Sequence, residues 1–394
     1  MKATKKTSQR YEALDALRGV CACMVALMHF ETIGAISRTP IVMHSYLFVD
    51  FFFVLSGFVI SAGYREKLAD GFPIGKFMAL RLGRVYPLHF VVLMAFLAFE
   101  IVFAMGLLGA ADRKPFSDIY SVGTLISSLL LVQIFTGPDA APWNGPSWSI
   151  AAEVWTYLLF AVLFRFARRL LVPLCALMVL AACLYIPQLT DRYLYLFHDG
   201  AMARCVLGFA LGVVAYDIRA RVPALALGRG AATAAELLMV AVTVTALTFA
   251  GAGPAMMTVP FVFLAAVLLF SFEGGAISSL LKTRPLLLIG ALSYSIYMVH
   301  RFLMYRMVNV MSLIDKKTGE RWNLVTEVDG HNIVGGSPLF SDAMSLVYLA
   351  IVIGVSWLTY RLVELPGQKW SRRKMLGDSR PVPAEPAEVK VAAF

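Results

Sequence analysis

The sequence predicts an all-α protein, a polytopic transmembrane helix bundle of about ten spans with one further re-entrant or interfacial segment. Of its 394 residues, 59% are hydrophobic and only 15% are charged, whereas about a quarter are charged in a soluble domain. The apolar residues form blocks close to the roughly 20 residues that a spanning helix needs. Lys and Arg collect between these blocks, so the net charge of +10 indicates positive-inside loops rather than a nucleic-acid-binding surface.

Apolar blocks divide the chain at 13–31, 44–62, 84–108, 120–136, 148–165, 170–187, 201–217, 232–250, 255–272, 285–306 and 342–363. Basic residues assign the N-terminal tail, the segment after the second block and the C-terminal tail to the cytoplasm. The loops alternate between the cytoplasmic and external sides only if block 120–136 enters and leaves the membrane on one side. This block contains the polar residues Ser121, Ser127, Ser128 and Gln133. We therefore predict ten crossings. Eleven is the alternative, because ten crossings leave Arg113 and Lys114 outside.

The chain is interpreted as a single membrane domain, residues 13–370, preceded by a cytoplasmic tail at 1–12. The polar, glycine-containing segment 307–341 is predicted to be the longest external loop. The Pro/Ala-rich end, 371–394, is predicted to be a disordered cytoplasmic tail. The five cysteines all lie in apolar blocks without the spacing of a metal site, so no bound metal is expected.

Ionisable side chains inside spans are costly and usually face an interior cavity. Arg18 and His29 are eleven residues apart, so they project from one face of the first span, about 16 Å apart along its axis. The topology brings His29, Asp50, Glu153 and His300 to a similar depth in the outer half of the membrane. Two histidines and two carboxylates could form an acid/base site. A structural ion-pair network is the alternative, and a zinc site is a weaker one because no HExxH spacing is present.

A pair of arginines, Arg81 and Arg84, lies on one helical face at the cytoplasmic start of the third span. Guanidinium groups match the geometry of phosphate, and Arg18 lies at the same side of the membrane. The three arginines are therefore compatible with a phosphate-bearing cytoplasmic ligand, with positive-inside anchoring as the alternative. A tryptophan cluster fits either sugar stacking or a membrane-interface belt and comprises Trp143, Trp148 and Trp155.

Several motifs resemble, in the same order, those of the acyltransferase-3 family of bacterial membrane acyltransferases. They are LDALRGVCACMVALMHF, FVDFFFVLSGFVIS, RLGRVYPLH, WSIAAEVWTYLLF, LSYSIYMVH and Glu364-Leu-Pro366, and the resemblance covers residues 10–370. It implies transfer of a short acyl group, with acetyl favoured, from acyl-CoA to a hydroxyl of an extracytoplasmic glycan or glycolipid. It also implies a multi-pass protein of the bacterial cytoplasmic (inner) membrane, in contact with membrane lipid. The oligomeric state is left open.

The family's functional residues can be carried over by position. Its first-span Arg and His correspond to Arg18 and His29, and its paired arginines to Arg81 and Arg84. Its acid after the Trp-Ser pair corresponds to Glu153, which is followed by Val154 where Glu or Gln is commoner. The resemblance thus implies a donor site formed by the arginines.

His29 is expected to act as general base or as acyl carrier. Asp50 or Glu153 is expected to orient its ring. Acceptor binding is assigned to His300, Trp148 and Tyr294. A transporter or flippase of a lipid-linked sugar is the alternative function, and it would not release free CoA thiol.

Overall fold

A computed structural model describes residues 10–107, 113–136, 141–222, 224, 227–251, 253–319, 322–328 and 331–377. The first helices are α1 (Glu12–His29), α2 (Ala35–Arg38), α3 (Pro40–Met43), α4 (Phe48–Ala69), α5 (Ile74–Ala104), α6 (Val122–Leu129), α7 (Ser147–Phe166) and α8 (Leu171–Leu189). They are followed by α9 (Ala201–Arg221), α10 (Arg229–Ala250), α11 (Val259–Phe270), α12 (Ala276–Leu281), α13 (Arg284–Thr318), α14 (Pro338–Thr359) and α15 (Leu365–Leu376).

Eight helical segments in the described ranges are long and apolar enough to cross a membrane. They contain α4, α5, α7, α8, α9, α10, α13 and α14. Helix α1 has 18 residues but carries Glu12, Asp15 and Arg18, and the apolar helix at Pro254–Phe270 is shorter. With these two, the candidate crossings number ten. The fold is therefore an all-α polytopic membrane bundle, as predicted.

The predicted interfacial block 120–136 forms only one short helix, α6. Its eight residues extend about 12 Å, which is too short for a hydrocarbon core of about 30 Å. Side chains of α5 and α7 anchor this segment by donating hydrogen bonds of 2.9–3.0 Å to its carbonyls: Tyr86 to Leu129, His89 to Ser128 and Trp155 to Leu131. The block therefore packs against the bundle without crossing it.

Arg113, which the ten-span topology leaves outside, is paired with an acid. Its guanidinium donates to both carboxylate oxygens of the buried Glu100, at 2.7 and 2.5 Å. The backbone N–H of Phe116 donates to the same carboxylate at 2.8 Å. Arg113 is thus held by a buried carboxylate of α5. The assignment of sides to the loops stays a prediction.

The prediction of a loop at 307–341 was wrong for much of the segment. Helix α13 continues to Thr318, and the antiparallel strands β1 (Val325–Val328) and β2 (His331–Val334) follow. The N–H of Val334 donates to Glu31 at 3.0 Å, and that of Ile33 donates to Val334 at 3.2 Å, so the hairpin is joined to the end of α1. The segment is polar because it extends past the apolar span, and polarity alone does not distinguish a loop from a solvated helix.

The prediction of a disordered tail from residue 371 is wrong for the first residues of that segment. A π-helical turn at Tyr360–Glu364 connects α14 to α15, which continues to Leu376. The hydroxyl of Ser371 donates to the carbonyl of Ala79 at 2.9 Å, which ties α15 to α5. Residues 371–376 are therefore helical, whereas 378–394 lie outside the described residues.

Helices α1 and α13 cross in close contact, and glycine makes that contact possible. A Cβ atom on Gly19 would lie 2.5 Å from the backbone of Gly290, and one on Gly290 would lie 2.5 Å from the carbonyl oxygen of Asp15. Real Cβ atoms do not approach backbone so closely. The crossing therefore requires both glycines, and it places the polar residues of α1 against those of α13.

Candidate active site

Two of the predicted residues, His29 and His300, form a pair where the C-terminal end of α1 contacts α13. The Nδ1 atom of His29 lies 3.3 Å from the Nε2 atom of His300, and the ring centroids are 4.9 Å apart. His300 is fully buried, whereas His29 is partly exposed at the last residue of α1. Of the two rings, the His29 ring is thus the one open to a reactant.

Backbone carbonyls determine where the ring protons lie. The Nδ1 atom of His29 is 2.9 Å from the carbonyl oxygen of Val25, and the Nδ1 atom of His300 is 3.2 Å from that of Ile296. A carbonyl can only accept, so both rings carry their proton on Nδ1. The Nε2 atom of His300 then has a lone pair and accepts a share of the His29 proton. The Nε2 atom of His29 keeps a free lone pair, as a base or nucleophile requires.

The predicted arginines meet in one cavity of about 840 Å³, counting the space open to solvent. Arg18, Arg81 and Arg84 line it together with Glu153. Arg18 donates to the hydroxyl of Ser293 at 2.8 Å and is held by Asp15 at 3.3 Å. Three guanidinium groups around one opening form a site suited to phosphate.

The cavity extends from the arginines toward the histidine pair. Its lining on α4 runs from Ile60 to Val49, eleven residues or about 16 Å of helix. Tyr297 lines the other end, where its hydroxyl lies 2.9 Å from that of Ser149. The ring of Tyr297 is centred 5.8 Å from that of His300. An extended molecule could thus have its charged end at the arginines and its other end near the histidines.

Glu153 lies with the arginines and not against His29. Its carboxylate accepts a hydrogen bond from the hydroxyl of Ser56, and it lies within electrostatic reach of Arg18 and Arg84. The structure gives His29 contacts with Val25 and His300 instead. The expectation that Glu153 orients the imidazole is therefore wrong for this geometry, and His300 occupies that position.

Asp50 was expected near His29 but is the anion of a buried ion pair. Its two oxygens accept from Nε and Nη2 of Arg204 at 2.9 and 2.7 Å, and both side chains are almost fully buried. The ring of Trp148 packs 5.2 Å from the same guanidinium. Asp50 and Trp148 thus belong to one structural cluster, as in the ion-pair alternative, because each faces α9 rather than α1.

Tyr294, which was assigned to acceptor binding, lines the cavity that contains the three arginines. Its hydroxyl donates to the backbone carbonyl of Val85 and so joins α13 to α5 beside Arg84. This contact makes Tyr294 part of the cavity wall.

Glu364 was not among the predicted site residues, although the motif Glu364-Leu-Pro366 is part of the family resemblance. Glu364 is buried in the π-helical turn and accepts from the hydroxyl of Ser295 at 2.9 Å and from Gln368 at 3.1 Å. It is an electrostatic neighbour of both Arg84 and Arg18. A buried acid near Arg84 and Arg18 offsets part of the repulsion between them. Its position before Leu365-Pro366 in the last span was the available signal.

The described residues include no group of three His, Cys, Asp or Glu side chains that could hold a metal ion. The described site places an imidazole pair next to a cationic cavity, and an imidazole can act as a base or as a nucleophile.

The helix bundle and the family comparison together define a membrane-embedded acyltransferase. The model of the family's acyltransferase domain matches residues 11–361. The chain therefore belongs to the acyltransferase-3 family, and the enzyme interpretation is preferred over the transporter.

Two relatives carry the comparison further. The Acyltransferase MdmB of Streptomyces mycarofaciens is 27% identical over 393 residues, which cover 92% of this chain and 86% of that protein. Protein 2 in picA locus of Rhizobium radiobacter is 33% identical over 158 residues, which cover 37% of this chain and 78% of that protein. No solved structure matches the chain.

Proposed function

We propose that this enzyme transfers an acyl group from cytoplasmic acyl-CoA to a hydroxyl of an extracytoplasmic glycan or glycolipid in the bacterial inner membrane. One observation carries the proposal: a cavity lined by three arginines runs from the predicted cytoplasmic side toward a histidine pair on the predicted outer side. Acetyl-CoA is the proposed donor, because the family resemblance implies short acyl groups.

The donor binds with its phosphates at Arg18, Arg81 and Arg84. Charge-assisted hydrogen bonds from guanidinium groups suit phosphate oxygens. The pantetheine arm extends along α4, and the thioester reaches the region of Tyr297. Glu153 and Glu364 limit the repulsion between the arginines when no donor is bound.

His29 acts on the acceptor through its free Nε2 lone pair. It removes the proton from the acceptor hydroxyl, whose oxygen attacks the thioester carbonyl carbon. The new C–O bond forms, the C–S bond breaks, and the imidazolium returns its proton to the leaving CoA thiolate. In the second route, Nε2 itself attacks the thioester carbonyl carbon, an N–C bond forms as the C–S bond breaks, and the CoA thiolate leaves. The acceptor oxygen then attacks the acyl carbon, the N–C bond breaks, and the hydroxyl proton goes to the thiolate. His300 supports either route by accepting from Nδ1–H of His29.

The test measures free CoA thiol after acetyl-CoA is supplied to purified enzyme in vesicles. Thiol release that depends on an added sugar acceptor, and that falls to background in His29→Ala, is the expected result. His44→Ala is the matched control, because His44 contacts only Leu247 and Tyr46 among its described partners. Equal acceptor-dependent release by His29→Ala and wild type would refute the proposal. A burst of protein-bound acetyl that His29→Ala lacks would select the acyl-carrier route.

A further inference from the structure

A cluster of arginines and tyrosines lies beside the histidine pair, separate from the donor cavity. Arg301 follows His300 in α13, and its guanidinium is an electrostatic neighbour of both imidazoles. Its Nε atom donates to the hydroxyl of Tyr305 at 3.2 Å. Arg306 and Tyr120 interact electrostatically with Tyr305 and with each other. We call these four residues the outer arginine cluster: Arg301, Tyr305, Arg306 and Tyr120.

Aromatic rings hold Arg306 in place without neutralising it. Its guanidinium carbon lies 3.1 Å from the ring centroid of Phe99 and 5.2 Å from that of Phe302. The Nε and Nη1 atoms are buried and have no hydrogen-bond partner among the described residues. Stacking on aromatic rings fixes the plane of the guanidinium. Its N–H groups can therefore bind an anion with a smaller loss of side-chain entropy.

An acid that is an electrostatic neighbour of Tyr120, Glu100, is already bound. Its carboxylate accepts hydrogen bonds from the Arg113 guanidinium and from the N–H of Phe116, and that guanidinium stacks 4.5 Å from the ring of Tyr120. Within the described ranges, neither Arg301 nor Arg306 has a carboxylate within 4 Å, so the cluster carries about two uncompensated positive charges.

Proton transfer to His29 makes this charge excess a mechanistic problem. The ring becomes positively charged, with Arg301 close by and without a described carboxylate among its contacts. An anionic group bound at Arg301 and Arg306 would offset that repulsion when the imidazolium or an acyl-imidazolium forms.

Resting on the function proposed above, we propose that the outer arginine cluster binds an anionic group, a carboxylate or phosphate, on the sugar acceptor. The hydroxyls and rings of Tyr120 and Tyr305 provide hydrogen bonds and an apolar face for the sugar itself. The substrate class is thus an acidic sugar rather than a neutral one.

Two sugars that differ in one group test this assignment. Methyl β-glucuronide and methyl β-glucoside are offered to wild-type enzyme with acetyl-CoA in phosphatidylcholine vesicles, and binding of each sugar is also measured by calorimetry. The glucuronide should be preferred by about tenfold to a hundredfold, the effect of a charge-assisted hydrogen bond. Arg301→Gln and Arg306→Gln should bring the ratio of glucuronide to glucoside binding and turnover close to one. Lys316→Gln is the control: it removes a charge from the exposed end of the same helix and should leave the preference for the glucuronide unchanged.

Equal handling of the two sugars by wild type, in binding and turnover, would overturn the proposal, and so would a preference retained in both arginine variants. Repeating the assay in phosphatidylglycerol vesicles shows whether the anion that binds the cluster belongs to a lipid headgroup or to a sugar. Arginine variants that change thermal stability only in these anionic vesicles, without a sugar preference in wild type, would assign the cluster to lipid and overturn it. Calorimetric binding of the sugars does not depend on turnover, so it tests the arginine cluster even if the proposed function fails. Failure of the proposed function would instead appear as thiol release that does not depend on His29.

Discussion

The guanidinium of Arg204 holds both carboxylate oxygens of Asp50 in the interior of the bundle, at 2.9 and 2.7 Å. Both side chains are almost fully buried, so each charge depends on the other for compensation. This pairing removes Asp50 from the chemistry of His29 and gives it a structural role between α4 and α9.

Replacing one partner of this pair should destabilise the protein strongly. Asp50→Leu leaves a buried guanidinium unpaired, at a cost of about 3–5 kcal/mol, whereas Asp50→Leu with Arg204→Met removes both charges and should recover most of the stability. Thermal unfolding in detergent measures both variants. If Asp50 acted in catalysis, the double variant would fold but stay inactive. We expect it to be active.

His300 should position His29 without touching substrate. His300→Leu removes the acceptor for Nδ1–H of His29 and should lower kcat by about tenfold to a hundredfold, with little change in the KM for acetyl-CoA. His300→Gln restores an acceptor oxygen and should recover part of the rate. Steady-state kinetics test both variants. A rise in KM with unchanged kcat would instead place His300 in substrate binding.

The cavity arginines should determine the affinity for the donor. Arg81→Gln and Arg84→Gln should each weaken acetyl-CoA binding by about tenfold or more, because each loses a charge-assisted contact with phosphate. Arg168→Gln is the control, since Arg168 is exposed and pairs with Glu66 and Asp70 outside the cavity. Isothermal calorimetry with acetyl-CoA measures all three. Unchanged affinity in both cavity variants would exclude these arginines from the donor site.

The glycine crossing of α1 and α13 should be sensitive to one methyl group. Gly290→Ala places a Cβ against the carbonyl of Asp15 and should cost about 1–3 kcal/mol while displacing His300 from His29. Gly354→Ala is the control, because its Cβ would meet open space, and it should gain about 0.5–1 kcal/mol from helix propensity. Thermal unfolding compares the two. Equal effects in both variants would mean that the crossing tolerates a wider separation.

Hydropathy was sufficient to predict the helical membrane bundle, because each span is defined by its own residues. The sides assigned from loop charge stay a prediction. The same local information placed Arg18 and His29 on one face of α1. It also gave His29, Asp50, Glu153 and His300 a common depth. Neither hydropathy nor loop charge determines the rotation of a helix or the exact depth of a side chain. Glu153 instead lies with the arginines, and among the described contacts of His29 only His300 comes from this set.

The remaining partnerships could not be inferred from sequence because they join distant positions. Arg204 is 154 residues from Asp50 and lies in a different helix, α9, for which no site residue was predicted. Glu364 approaches Arg84 only because α15 packs along α5. These contacts depend on helix packing, which neither hydropathy nor spacing encodes.

The most direct test of the account asks whether His29 delivers an acyl group to the outer surface of the cell. A strain that lacks this gene is complemented with wild type or with His29→Ala at equal membrane levels, and its surface glycans are analysed by mass spectrometry. The glycans of the deletion strain should lack one acyl unit, which wild type restores and His29→Ala does not. Glycan masses that do not change on deletion, or an acyl unit restored by His29→Ala, would contradict the account.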